Sequence, residues 1–265
     1  MSREDRKSST DSCVPMPATR DGRRWSHRWE WSVGITTAPR RVPTLERTLA
    51  SLKAAGWGDI AVFAEPGVSL PAGAIDCRLT RRGQRLGAFP NWYLALAELY
   101  MQAPRSGAYL ICQDDVLLAE GLRAYMEGVL WPGPVVGVVS VYCPSHVGRG
   151  KSHGFHAHDG GWNTAGALAY LFPNPSVRAF LSDPMVVNHR HHGPASGMRN
   201  IDSLVGAWCR QSRRPYFVHV PSLAQHIGST TTVWSHNGCD QRRRACPFAR
   251  SAALDASGAA VFDLQ

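Results

Sequence analysis

Ala108-Tyr109-Leu110-Ile111-Cys112-Gln113-Asp114-Asp115 is an apolar run that ends in two adjacent carboxylates. A short apolar run bounded by polar residues reads as a buried strand. Open α/β folds bind ligands beyond the carboxyl ends of their strands, so Asp114 and Asp115 are expected at a ligand-facing sheet edge. Side by side, two carboxylates repel each other, and a hard divalent cation carrying a phosphate group relieves that repulsion. The competing reading makes the pair a cap for a helix expected over Leu117 to Leu130.

Working outward from this stretch, the pattern on its N-terminal side alternates strand and helix. Trp31-Ser32-Val33-Gly34-Ile35-Thr36 reads as a first strand, followed by the loop Thr37-Ala38-Pro39-Arg40. Thr44 is placed to cap a helix carrying Leu45, Leu49 and Leu52 that ends at Gly56. Ile60 to Ala64 is a second strand, closed by Glu65-Pro66-Gly67, and residues 86–101 form a helix rich in Trp and Leu. Beyond the acidic pair, Val135 to Tyr142, Ala167 to Phe172 and Tyr216 to Val220 read as strands. Val177 to Leu181 starts a short helix, and residues 143–162 and 185–199 read as loops. Ile201, Leu204, Val205 and Trp208 recur at helical spacing, so 201–212 is an amphipathic helix. The alternation predicts an α/β fold with a central, mostly parallel sheet flanked by helices. Residues 1–27 are expected to be a disordered basic arm, 28–237 the folded domain, and 238–265 a loosely ordered tail.

Composition narrows the partners. The 265 residues carry 29 Lys and Arg against 20 Asp and Glu, a net charge of +9, which favours anionic ligands without choosing among nucleotides, nucleic acid and acidic membranes. No RNA-binding signature or helix-turn-helix pattern occurs, so nucleic acid is not the expected partner, although a basic nucleic-acid-binding protein is the rival class. Seven scattered cysteines form no CxxC pair, which fits a reducing compartment, and a cytoplasmic location is expected. No apolar run approaches a membrane span. Arg242-Arg243-Arg244 leaves peripheral contact with an anionic surface open.

Several residues carry chemistry that suits a sheet-edge site. Thr36, Thr37 and Arg40 offer hydroxyls and a guanidinium after the first strand, and the alternative there is an ordinary turn. Neither GxGxxG nor GxxxxGK[ST] occurs, which argues against a dinucleotide fingerprint and a P-loop. Glu65 can accept from a base or ribose, or face solvent. Asp202 opens the amphipathic helix, either as a first-turn acid or as a base for a sugar hydroxyl. His226 can complete an oxygen-rich metal shell, or be a hydrogen-bonded structural histidine. Trp162 in Gly160-Gly161-Trp162 can stack on an acceptor sugar, or belong to the core. Two groups of histidines, at 153, 156 and 158 and at 189, 191 and 192, lack the Cys partners and spacing of a structural zinc site.

Taken in order, Val33 to Arg40 with Leu45 to Leu52, Tyr109 to Val116, Ile201-Asp202 and Pro221 to Gly228 resemble the GT-A fold glycosyltransferases. The stretch Gln225-His226-Ile227-Gly228-Ser229-Thr230 is similar to the C-terminal signature of branching N-acetylglucosaminyltransferases. The resemblance spans roughly residues 31–235. It implies an inverting hexosyl- or N-acetylhexosaminyltransferase that takes a nucleotide-sugar donor, UDP-linked by expectation, and a glycan-type acceptor, with Mn²⁺ or Mg²⁺ as cofactor. It makes Asp115 a metal ligand with His226, sets Gln113 and Asp114 against the donor, and gives Asp202 the role of catalytic base. Gln113 stands where the family's D-x-D pattern has its first acid, so the motif carries one negative charge fewer. A catalytically silent glycan-binding relative is the third reading.

Overall fold

The computed structural model describes residues 30–162, 164–189, 200–229, 244–245 and 247–265. Its first half runs β1 (Trp31–Thr37), α1 (Leu45–Ala54), β2 (Ala61–Ala64), β3 (Arg78–Arg81), α2 (Ala88–Gln102), β4 (Ala108–Gln113), β5 (Val116–Leu118) and α3 (Leu122–Val129). There follow β6 (Val138–Ser140), α4 (Ser145–Gly148), β7 (Gly154–His158), β8 (Ala169–Pro173), α5 (Asn174–Ser182) and α6 (Pro184–Val187). The chain closes with α7 (Ile201–Gln211), β9 (Tyr216–Val220), β10 (Ala224–His226), β11 (Ala249–Leu254) and β12 (Ala260–Leu264).

Eight strands form one sheet in the order β3-β2-β1-β4-β8-β6-β9-β7. β3, β2, β1 and β4 are parallel to one another, and β6 and β9 form a further parallel pair. β8 and β7 run the other way. The expected α/β architecture, a large and mainly parallel sheet flanked by helices, is therefore present. β1 and β4 finish level, with Thr36 opposite Gln113. That register sets the first loop beside the acidic pair.

Alternation along these strands feeds two cores, one per sheet face. Val33, Ile35, Leu110 and Cys112 meet Leu45, Leu49 and Leu52 of α1 and Leu122 and Met126 of α3. Tyr109 and Ile111 turn the other way, onto Trp92, Leu96 and Leu99 of α2 and Trp208 of α7. Gly34 lets α2 approach β1: a Cβ there would lie 2.7 Å from the Leu99 side chain and 3.0 Å from Phe63.

Several local expectations differ from the structure. The helix expected from Leu117 begins at Leu122, because Val116 and Leu118 turn inward as β5 and pair antiparallel with β10. That pairing sets Val116 opposite His226. β7 lies inside the stretch read as a long loop, and β3 has no alternation to announce it, since its side chains are largely exposed. Thr44 precedes α1 without a side-chain cap bond. Within the tail expected to be loose, β11 and β12 form a hairpin that buries Phe248, Ala249 and Ala252. Small residues make the approach of that hairpin close. The Ala252 N–H donates to the Glu120 carbonyl, and a Cβ on Gly121 would come within 2.9 Å of the Ala252 carbonyl. The arm expected over 1–27, His191, His192, Arg242 and Arg243 lie outside the described residues.

Candidate functional site

β4 is buried over its first five residues, and Asp114 and Asp115, directly beyond it, stay buried at 2% and 5% exposure. Burying two adjacent charges demands partners. Arg40 supplies them both. Its Nε lies 2.7 Å and its Nη2 2.6 Å from Asp114 Oδ1, and the same Nη2 lies 3.0 Å from Asp115 Oδ2. Thr37 donates its hydroxyl to Asp114 Oδ2 at 2.5 Å. From α1, the Thr48 hydroxyl lies 2.8 and 2.9 Å from the carbonyl oxygens of Asp114 and Val116 and shares its proton between them. On the far side, β10 brings His226 Nε2 to 3.1 Å from Asp115 Oδ2, and the Ile227 N–H donates to the Asp115 carbonyl.

The two carboxyls respond differently to one environment. Burial pushes the Asp114 carboxyl up, and the Arg40 charge and hydrogen bond only partly offset it. Burial pushes Asp115 up as well, but the hydrogen bond with His226 and the Arg40 charge more than reverse this and leave it below the usual range. Burial also opposes the charge on Arg40, yet the two carboxylates hold its pKa above the ordinary value.

Asp115 Oδ1 is buried and has no hydrogen-bond partner among the described residues. Gly228 lets the chain pass close to the other oxygen: a Cβ there would lie 2.7 Å from Asp115 Oδ2 and 2.9 Å from His226 Nε2. A carboxylate with one oxygen, Oδ1, unpartnered among the described residues and the other, Oδ2, beside an imidazole nitrogen offers ligand types that suit a divalent cation. Mg²⁺-type sites commonly use one or two carboxylates and complete their shell with phosphate oxygens and water. The donor set fits such a cation as a partial shell. No group of three or more His, Cys, Asp or Glu that could hold a metal is gathered among the described residues. Beyond His226 lies a cavity of about 230 Å³ bordered by Arg47, Leu117, Gln225 and Arg244. A more open depression of about 580 Å³, next to Tyr100, Arg178 and Leu181, has no carboxylate in its wall.

The structure brings Thr37, Arg40, Asp114, Asp115 and His226 into one cluster, with Gln113 at its border. Thr36 lies alongside, its hydroxyl 3.4 Å from the Cys112 carbonyl within the sheet. Glu65 does not join them. It is 3% exposed, and its two oxygens accept from the N–H groups of Leu86 and Gly87, at 2.9 Å each for the shorter contacts, at the start of α2. A carboxylate at a helix N-terminus is stabilised by the exposed N–H groups and the helix dipole, so this geometry accounts for a buried Glu65 without a base or ribose.

Asp202 lies on the same edge of the sheet, in the first turn of α7. Its Oδ1 accepts from the N–H groups of Gly166 and Ala167, each at 2.5 Å, and lies 3.4 Å from the Tyr170 hydroxyl. Oδ1 thus fastens the turn that enters β8. Anchoring through Oδ1 is the role that the geometry gives Asp202. Trp162 is half-buried, packs against the second core, and accepts through its carbonyl from the Ser203 hydroxyl at 2.5 Å.

Thr48 and Gly228 were not singled out from sequence. A threonine on the apolar stripe of α1, between Leu45, Leu49 and Leu52, was the available signal for the first. Two histidines of the first loop group serve local contacts: His156 Nε2 lies 2.8 Å from the Ser152 carbonyl, and His158 Nδ1 accepts from the Gly160 N–H at 3.1 Å.

No protein-family model and no curated protein matches this sequence. Among solved structures, the chain is similar to the mannosyltransferase PcManGT from Pyrobaculum calidifontis, in complex with GDP-Man and Mn²⁺. Identity there is 16% over 56% of this chain and 45% of that one, with a TM-score of 0.41. GalNAc-T7 with UDP, GalNAc and Mn²⁺ is 11% identical over 76% of this chain and 44% of its own, at a TM-score of 0.48. HddC from Yersinia pseudotuberculosis, complexed with GMP-PN, is 12% identical over 58% of this chain and 80% of its own, at 0.38. The chain thus spans less than half the length of the first two.

Proposed function

We propose that the protein is a GT-A-like glycosyltransferase that moves a sugar from a nucleoside diphosphate donor, UDP-linked by preference, to a hydroxyl of a glycan-type acceptor. One observation carries the reading: Arg40, Asp114, Asp115 and His226 form a buried charged cluster at the carboxyl end of β4, level with the loop after β1. This is where open α/β sheets bind their ligands.

In a transfer of this kind the sugar–phosphate bond breaks through an oxocarbenium-like state, and the leaving diphosphate gains negative charge. A divalent ion, Mn²⁺ or Mg²⁺, held by Asp115 and His226 would supply positive charge to that leaving group. The protein's own residues do the rest. Arg40 holds the two carboxylates in one geometry and brings a guanidinium to the rim of the site. Thr37 and Thr48 fix Asp114, so Asp115 keeps its aim without reorganising during the reaction. Gln113 offers a neutral amide to ribose or sugar. Trp162 remains the candidate aromatic for the acceptor, one edge on the core.

Asp202 anchors the turn into β8 through Oδ1, and a base role, with the inverting course that rests on it, would fall to its other oxygen. Asn in its place separates the roles. An amide oxygen still accepts from Gly166 and Ala167 but cannot take a proton, so a base lost there would lower turnover ~100- to 10,000-fold. The basic nucleic-acid-binding reading has less support, because Arg40, Arg78, Arg82, Arg123 and Arg250 are engaged in ion pairs. No helix among the described residues is long and apolar enough to cross a membrane.

The test is a melting panel of UDP-, GDP-, CDP- and dTDP-sugars with and without Mn²⁺. A ligand at ~100 times its Kd adds about 2.7 kcal/mol to folded-state stability. One base should raise the melting temperature with Mn²⁺ well above the others. No shift with any of the four would remove the nucleotide-sugar reading.

A further inference from the structure

We propose that Arg40 is the resident counter-ion of the donor-free site and makes divalent-cation binding conditional on the donor's diphosphate. The inference rests on the nucleotide-sugar reading above and adds an order of events to it.

The Arg40 side chain is 8% exposed and those of Asp114 and Asp115 are 3% and 7%. One guanidinium spans both acids, with Nη2 2.6 Å from Asp114 Oδ1 and 3.0 Å from Asp115 Oδ2. Asp114 has no oxygen to spare, since Oδ1 is taken by Arg40 and Oδ2 by Thr37. The acid that can receive a cation is therefore Asp115, whose Oδ2 already faces Arg40 and whose Oδ1 is buried without a partner among the described residues. A divalent ion bound to Asp115 and His226 would share that carboxylate with a guanidinium at contact distance.

Charge decides the outcome. Two carboxylates against one guanidinium leave these three side chains one formal negative charge. A divalent ion arriving alone makes a buried site positive, where water and salt screen little. A sugar diphosphate brings two negative charges with the ion and returns the site to its starting balance. Arg40 also gains an alternative partner, because a guanidinium fork suits phosphate as well as carboxylate. Metal and diphosphate are then coupled, and the coupling is reciprocal.

The experiment measures free Mn²⁺ by electron paramagnetic resonance during titration of the full chain, with and without UDP or GDP, for the unaltered protein, Arg40→Gln and Arg40→Lys. For the unaltered chain, Mn²⁺ alone should bind weakly, and its affinity should rise at least ~10-fold when the fitting nucleoside diphosphate is present. Arg40→Gln keeps a hydrogen-bonding side chain without the charge and should bind Mn²⁺ alone at least ~10-fold more tightly than the unaltered chain. Arg40→Lys keeps the charge and should bind Mn²⁺ alone as weakly as the unaltered chain. Equal Mn²⁺ affinity in Arg40→Gln and the unaltered chain would overturn the proposal. So would tight binding of Mn²⁺ alone by the unaltered chain, a result that needs no variant to fold. If neither nucleotide binds, the nucleotide-sugar reading fails, and the comparison with Mn²⁺ alone still decides whether Arg40 opposes the ion.

Discussion

Asp115 and Asp202 lie on the same edge of the sheet and are held by opposite means. Asp202 accepts from two backbone N–H groups, whose positions the turn into β8 fixes. Asp115 is held by a guanidinium and an imidazole and keeps one oxygen without a partner among the described residues. A carboxylate engaged by backbone dipoles is part of the scaffold. One engaged by side chains can exchange those partners for a ligand. Residue type and position in the chain do not separate the two; their partners do.

Substitution at each site should break that comparison or sharpen it. The largest effect is expected for Asp115→Asn, which keeps the shape but removes the charge that would hold a cation. Sugar transfer should fall ~100- to 1,000-fold, as when a group stabilising transition-state charge is lost, and circular dichroism should show a folded protein. Turnover within a few-fold of the unaltered chain would put Asp115 in the scaffold with Asp202.

Acidity separates the cluster from a second buried region. His219 is fully buried, its Nδ1 donating to the Pro221 carbonyl and its Nε2 accepting from the Tyr125 hydroxyl. Burial pushes it down to about 4. The unfolded chain then takes up a proton near the ordinary value of about 6.5 while the folded chain resists, so stability is full above that pH and falls on acidification toward 4, by roughly 3 kcal/mol in all. Asp115 is shifted below its ordinary value, so its contribution is present above about 4 and is lost only as pH falls further. Melting curves from pH 8 to 3 should show the first loss vanish in the double variant His219→Phe, Tyr125→Phe, with the second unchanged. An identical profile in the double variant would contradict the assignment.

Asp202→Ala should lower stability by about 2 kcal/mol, because the Gly166 and Ala167 N–H groups are buried and lose their acceptor. Asp202→Asn should recover most of that loss and keep transfer within about 10-fold, below the range expected for a lost base. Denaturant melts and donor turnover read the two effects separately. Smallest is Glu65→Gln, which weakens a charged contact at the start of α2 by about 1 kcal/mol and leaves donor binding unchanged by calorimetry.

The central parallel strands were legible from their apolar runs, as was the order in which loop, acidic pair and histidine would meet. Local signals are strong where a strand is buried on both faces, as β4 is. β3, β7 and the β11–β12 hairpin were hidden for physical reasons. β3 is an exposed strand of mixed polarity, β7 is carried by Gly and His, and the hairpin packs through alanines too small to mark a buried face. At the site, residue types announced candidates but not partners. Glu65 and Asp202 had the chemistry of ligand contacts, and only the fold showed both Glu65 oxygens and Asp202 Oδ1 accepting from backbone N–H groups. The Arg40 bridge joins residues 74 and 75 positions apart in sequence and depends on the level ends of β1 and β4, which no local pattern encodes.

The most direct test compares calorimetric binding of the nucleotide-sugar that stabilises the protein, with Mn²⁺, by the unaltered chain and by Asp115→Asn. The account predicts measurable binding by the first and at least ~10-fold weaker binding by the second, the cost of a lost charged partner at a buried site. Equal affinity in both, or a donor that seats itself without reference to this carboxylate, would contradict it.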